Sequence, residues 1–237
     1  MIRRIASQKR HLAVTVNSES FLLFSYGDYF EPENVHWGGL RIFNDDLIHP
    51  GHGFPVHVHD EIELVTILLA GELRQRTEML PSSRLRPGDV QALSAGRGFH
   101  HTDCNEGDGP VHFYQIGIFP RIHGLTPSLV QAAYDRSLHQ NNLLPVASGQ
   151  EKDGALVINA DATVYLGSLD PCRMLDHTVP DGYAVFCYVT RGSLNINGVD
   201  FGTGDQARVA DEYELAIGAV DHSEFVLVET FLKSRTG

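Results

Sequence analysis

Residues 53–73 read GFPVHVHDEIELVTILLAGEL, and this stretch decides what kind of fold the chain can adopt. In an extended chain successive side chains point to opposite faces, so His57 and His59, two apart, share one face, and Glu63 has the same parity. The run from Leu64 to Gly71, broken only by Thr66, is far shorter than the roughly 20 apolar residues of a membrane-spanning helix. It reads as a buried strand ending in a glycine turn.

Outward from this stretch the same pattern recurs. Short runs of β-branched, aromatic and leucine residues (HLAVTV, FLLFSY, LRIF, VHFYQIGIF, TVYLGSL, YAVFCYVT, FVLVETFL) are separated by Gly, Pro, Asn and Asp, as strands are. One segment departs from it: SLVQAAYDRSL, after Pro127, lacks glycine and carries Leu129, Ala132 and Ala133 at helix-like spacing, which predicts a short helix over 127–138. The polar segment 139–154 that follows reads as a surface connection, dividing the chain into domains 1–138 and 139–237. An internal repeat supports two like domains. A strand runs into Gly71 and a later turn holds Gly88-Asp89; a second strand runs into Gly192, and a later turn holds Gly204-Asp205. The glycines are 17 residues apart in the first copy and 12 in the second, a difference that a longer hairpin tip over 77–84 absorbs. The expected fold class is all-β: two antiparallel jelly-roll barrels packed together, with a short helix near the connection.

Composition agrees with a folded globular chain: 237 residues, 42% hydrophobic, 20% charged, 23 glycines. Lysine and arginine total 18 against 30 acidic residues, a net charge of −12 that repels phosphate and argues against direct nucleic-acid binding. Cys104, Cys172 and Cys187 are odd in number and include no CxxC pair, so neither a disulfide framework nor a thiolate zinc site is expected. The N-terminal MIRRIASQKRHLAVTV lacks the continuous apolar stretch of a signal peptide; with the cysteine usage this predicts a reducing, cytoplasmic location and no membrane association.

Histidine is the compositional oddity. Thirteen are present, and seven of them fall between His49 and His112. His101 and Asp103 form a second pair two residues apart, so two crossing strands inside a small barrel can present three imidazoles and a carboxylate to one point. Such a donor set suits one divalent first-row transition metal, Fe, Co, Ni, Cu, Zn or Mn, with open positions for substrate or O₂. His100 has the wrong parity to join His101 and is expected to be a surface or packing residue; Cys104 has the wrong parity to join Asp103 and is expected to be an ordinary buried cysteine. Arg74, Arg76, Arg84 and Arg86 read as a solvated, locally balanced face.

These residues carry a family resemblance. FSYGDYFEPENV and LRIFNDDLI upstream, GFPVHVHDEIELVTILLAGEL, and LSAGRGFHHTDCN resemble the pirins, a branch of the two-barrel cupins, over nearly the whole chain. The resemblance implies that His57, His59, His101 and Asp103 bind one metal, usually iron, in the N-terminal cupin. Counting from the glycine turns places Thr178, Pro180, Ile217 and Ala219 at the four corresponding positions of the second barrel, which predicts that it carries no metal. Two departures stand out. Pirins commonly have glutamate at the position of Asp103, and one methylene fewer shortens that arm by roughly 1.5 Å; they usually have arginine at the position of Asp60, so this mouth is more acidic.

Some bacterial pirins are quercetinases, which open the flavonol ring with O₂ and release carbon monoxide, so the resemblance implies an aromatic small-molecule substrate together with O₂. In that reading Asp103 is the candidate general base, Glu63 orients a ligand imidazole, and Phe54 and Phe99 form apolar walls of the substrate pocket. The alternative is a non-enzymatic regulatory protein, in which the oxidation state of the metal changes the surface offered to a protein partner. A third reading is another cupin chemistry, such as isomerisation or decarboxylation.

Overall fold

The computed structural model describes residues 1–77, 80 and 82–232; the rest of the predicted hairpin tip, positions 78, 79 and 81, lies outside them. Two sheets of seven strands and two of four build two barrels, each a large sheet facing a small one. In the first barrel the large sheet holds Glu63–Ala70 between Asp89–Ser94 and the central strand Val111–Ile118, and continues through Leu40–Ile48 and Ser18–Leu22. Its small sheet contains His57–His59, Phe99–Asn105, Leu73–Arg76 and Ser83–Leu85. The second barrel repeats this plan with Tyr183–Arg191 in the place of Glu63–Ala70 and Glu214–Ala219 in that of Phe99–Asn105. The repeat is visible in the turns: Gly71 and Gly192 both adopt φ +78°, the left-handed region that glycine enters without steric cost.

The strand Glu63–Ala70 reads as continuously apolar because both its faces are covered. Leu64 and Leu68 point into the first barrel, whereas Val65 and Ile67 join Phe43 and Tyr114 in the large cluster that also holds Val164, Phe186, Tyr188 and Val228 of the second barrel. The two large sheets therefore pack face to face. Phe43 lies 5.3 Å from Phe186 and 5.2 Å from Tyr188, ring to ring. Fully burying a side chain of this kind contributes on the order of 1.5–3 kcal/mol, so the interface is a second core.

The interiors of the two barrels differ in chemistry. The second is filled by Leu194, Ile196, Phe201, Leu215, Ile217 and Leu227, all at most 1% exposed. In the first, two apolar clusters, one around Phe99 and Leu64 and one around Phe113 and Leu68, flank a polar belt. Cross-strand register lines up Asn44, Gln115, Thr66 and Gln91 as one buried row.

Two expectations are corrected here. The segment expected as a helix over 127–138 is instead the strand Ser128–Ala133, antiparallel to Asp89–Ser94, followed by a single 3-10 turn, Arg136–His139. The open edge of the large sheet supplies backbone partners, Gln131 adds donations to Arg84 O (2.9 Å) and Asp89 Oδ2 (3.1 Å), and Leu129 packs against the Phe99 cluster. Its apolar spacing fits a half-covered edge strand equally well, and among the described residues there is no α-helix at all. No helix is long and apolar enough to cross a membrane among those residues.

The second correction concerns the counting of equivalent positions. Hydrogen-bond register pairs His57 with His101 in the first barrel and His177 with Leu215 in the second; likewise Leu73 pairs with Asn105 and Leu194 with Ala219. The counterparts of His57, His59, His101 and Asp103 are therefore His177, Val179, Leu215 and Ile217. The connections between turn and strand differ by one residue on one side and two on the other, which a count from the glycines could not register. The conclusion changes in one respect: the second barrel keeps a histidine, and its Nε2 is hydrogen-bonded to buried Glu229 Oε2 at 2.9 Å.

Candidate metal centre

The strand His57–His59 is only three residues long and depends on its neighbour for placement. It runs antiparallel to Phe99–Asn105 with His57 opposite His101 and His59 opposite Phe99. Strand alternation then turns His57, His59, His101 and Asp103 inward, while Val58 and His100 face solvent. Upstream, Phe54 N donates to Asp103 O (2.8 Å) and Asn105 N to His52 O (2.8 Å), which fastens the segment 52–54 to the same strand. Gly53 permits this approach, because a Cβ there would collide with the Asp103 carbonyl.

The three imidazoles converge. One nitrogen from each of His57, His59 and His101 lies within 4.8 Å of the others, and ring centroids are 4.4–5.0 Å apart. His57 Nδ1 is 2.9 Å from Pro55 O, so it carries the proton and donates, leaving Nε2 as the free lone pair. His59 Nε2 and both nitrogens of His101 are buried with no hydrogen-bond partner. An unsatisfied buried polar atom costs about 1–3 kcal/mol; with one nitrogen from each ring near a common point, a cation that accepts one lone pair per imidazole explains why His59 and His101 lack partners there. Burial, and then the neighbouring imidazoles, pull His59 and His101 down to about 3, so both are neutral at physiological pH and ready to ligate. The donor set fits a divalent first-row transition metal.

Asp103 stands beside this group but outside it. Its Oδ1 accepts from Gln75 Nε2 (3.1 Å) and lies 3.8 Å from His101 Nδ1, beyond direct hydrogen-bond length. Its Oδ2 is buried and unpartnered. Burial pushes this carboxyl upward, opposed by the Gln75 hydrogen bond and His57.

The remaining site residues separate. Phe54 lines a cleft of about 730 Å³ that runs over the first barrel and reaches the histidines at His57. Phe99 does not line it; it is wholly buried, its ring 5.5 Å from His101, and packs behind that imidazole. Glu63 corrects the expectation of an imidazole-orienting carboxylate. Its Oε1 accepts from Ser94 Oγ (2.7 Å) and its Oε2 from Asn159 N (3.1 Å), so it ties the second half of the chain to the first. The four arginines pair locally as expected: Arg74 and Arg76 with Glu106, Arg84 and Arg86 with Glu72.

Three residues at the centre escaped sequence reasoning: Gln75, which holds Asp103, and Tyr26 and Asp46 in the cleft. The run Asn44-Asp45-Asp46 carried the signal for the last. Alternation turns Asn44 and Asp46 into the barrel, while Asp45 faces the second barrel and accepts from Tyr188 OH (2.9 Å) and His112 Nε2 (2.6 Å).

Comparison with known proteins agrees with this architecture. The family model described as Pirin matches residues 5–118, and that described as Quercetinase C-terminal cupin domain matches residues 145–230. The chain is 31% identical over 212 residues to the quercetin 2,3-dioxygenase of Escherichia coli K12, covering 89% of this chain and 90% of the relative. It is 31% identical over 207 residues to a pirin-like protein of Caulobacter vibrioides, covering 87% and 89%. The crystal structure of the E. coli bacterial pirin YhhW in complex with nickel(II) superposes with a TM-score of 0.93 at 29% identity, covering 98% of this chain and all of the other. With both halves matched and relatives of this identity aligned nearly end to end, the chain belongs to the pirin family, among relatives named quercetin 2,3-dioxygenases.

Proposed function

We infer that the chain is a metal-dependent dioxygenase that opens the oxygen-bearing ring of quercetin or a related flavonol with O₂. The observation that carries this reading is the set of three converging imidazoles with unpartnered nitrogens, opening at His57 on a ligand-sized cleft. His57, His59 and His101 would hold one divalent ion, and nickel is the ion named for YhhW. When bound, such an ion supplies Lewis-acid polarisation, which lowers the pKa of a coordinated substrate hydroxyl.

The chain's own residues do the rest. Asp103 receives the substrate hydroxyl proton on Oδ2, the oxygen left free while Gln75 holds Oδ1. Burial raises the proton affinity of this carboxyl, which suits a proton acceptor better than a fully solvated carboxylate would. Phe54 offers an apolar edge to the aromatic substrate, and its ring is itself fixed edge-on against Phe113 at 6.2 Å. The interior of the second barrel, apolar apart from the His177–Glu229 pair, holds no comparable group of ligands among the described residues, which supports one ion per chain.

The test is metal analysis of the purified chain combined with an aerobic quercetin absorbance assay on the same sample. About one ion per chain, with O₂-dependent loss of flavonol absorbance that His57→Ala abolishes, is the expected result. A fully metallated protein that leaves quercetin and related flavonols unchanged in air would overturn the reading.

A further inference from the structure

The cleft holds a carboxylate that the proposed chemistry does not use. Asp46 lies on the inner face of Leu40–Ile48, is 1% exposed, and has no hydrogen bond of good geometry on either oxygen, although Ser20, opposite it on the adjacent strand, offers a donor. Asn44, two residues earlier on the same face, is 3% exposed, and its Oδ1 is also unpartnered. Both side chains line the same cleft as His57, with Tyr26, Ser20 and Gln115 around them. Asn44 and Asp46 thus border a ligand-sized space, and three of their buried acceptor atoms lack well-placed donors.

The orphaned atoms specify the ligand's chemistry. All three are acceptors, so the ligand must bring hydrogen-bond donors. The residues lining the cleft include Asp46 and Asp28 but neither lysine nor arginine, so a ligand carrying a carboxylate or phosphate meets repulsion there. The lining is also aromatic: His11 stacks on Tyr29 with centroids 4.2 Å apart and planes 6° apart, and Phe54 adds a third ring. Flat walls over a floor whose unpartnered atoms are acceptors describe a pocket for a neutral, hydroxyl-rich aromatic.

We propose that Asp46, seconded by Asn44, is the specificity residue of this cleft and accepts a hydrogen bond from a phenolic hydroxyl of the ligand other than the one that the metal centre activates. The proposal rests on the flavonol reading for the identity of the ligand but not for the chemistry done on it. Asp46 is distinct from the proton acceptor Asp103: it contributes binding and selection.

The experiment measures affinity rather than turnover. Nickel-loaded protein under nitrogen is titrated calorimetrically with quercetin, with its analogue lacking the two hydroxyls of the catechol ring, with its analogue lacking the ring hydroxyl beside the carbonyl, and with the catechol dimethyl ether. In the wild type, titrated above pH 8 where Asp46 is ionised, deleting the hydroxyl that Asp46 reads weakens binding by about tenfold or more, as for a hydrogen bond to a charged partner. In Asp46→Asn the same deletion costs twofold or less, the signature of a coupled pair in a thermodynamic cycle. Equal costs in wild type and variant for every deletion overturn the proposal. So does a wild type that binds all four flavonoids equally, a result that needs no folded variant. Asp46-dependent selection without consumption of quercetin in air would support this proposal while overturning the dioxygenase reading; consumption without such selection does the reverse.

Discussion

Asp46 also shows at the scale of a single residue what a recognition site costs its fold. Burial raises its carboxyl from 3.8 to about 7, with Asp45 and Asp103 adding to the shift and Ser20 and His112 opposing it. A group whose folded pKa lies above its unfolded value takes up protons on folding. Its contribution is therefore most favourable below pH 4 and is lost as pH rises towards 7. The full shift corresponds to about 4 kcal/mol. Asp46→Asn, which carries no charge, should gain stability over the metal-free wild type progressively between pH 4 and pH 8. Thermal melts across that range check this, and a constant difference in melting temperature would refute it. Asp103 makes a different residue-scale prediction. Asp103→Ala should keep its metal and lose turnover by at least about a hundredfold, the usual contribution of a proton acceptor; loss of the metal with the turnover would move Asp103 into the coordination shell.

At the scale of elements, the site depends on how short segments are fastened. The strand His57–His59 is held by register with Phe99–Asn105, and the segment before it by the close passage of Gly53 over Asp103. Gly53→Ala should push these backbones apart, costing about 2 kcal/mol in denaturant unfolding, and should weaken metal binding together with activity although the residue carries no reactive group. Unchanged metal affinity would show that the histidine strand is positioned without that contact. Period-two alternation made this element legible in advance: it placed His57, His59, His101 and Asp103 on inward faces and His100 outside, as the strands do. Alternation failed where tertiary contact decides the outcome. Ser128–Ala133 has apolar spacing compatible with helix or strand, and only the open edge of Asp89–Ser94 selects the strand. Glu63 shares its sequence parity with His57 and His59, but the left-handed Glu61 (φ +46°) breaks the alternation between the two strands, and Glu63 falls on the face of Val65 and Ile67, turned away from the imidazoles.

At the scale of the whole molecule, two barrels with one plan have interiors of opposite character, and His177 marks where they diverge. Sequence repeats revealed the duplication, but loops of unequal length hid that His177 is the counterpart of His57. Nor does the pattern of the first strand, Ile2–Ile5, show that it crosses over to pair with Gln206–Val209 in the second barrel. Val179, Leu215 and Ile217 have replaced the other three inward polar residues, and Glu229, 1% exposed, now takes the hydrogen bond of the remaining histidine. The same structural position therefore carries two unlike duties, and paired variants separate them. His57→Ala removes a residue with a free nitrogen at the centre, so it should abolish metal binding while costing the metal-free fold little. His177→Ala leaves the buried Glu229 carboxylate without its partner, which costs about 1–3 kcal/mol, so it should lower the melting temperature by several degrees with one ion per chain retained. Melting curves of both metal-stripped variants, with metal analysis of the reconstituted proteins, decide the matter. Loss of metal in His177→Ala would mean that the second barrel takes part in ion binding, and its apolar filling would then have to be explained in another way.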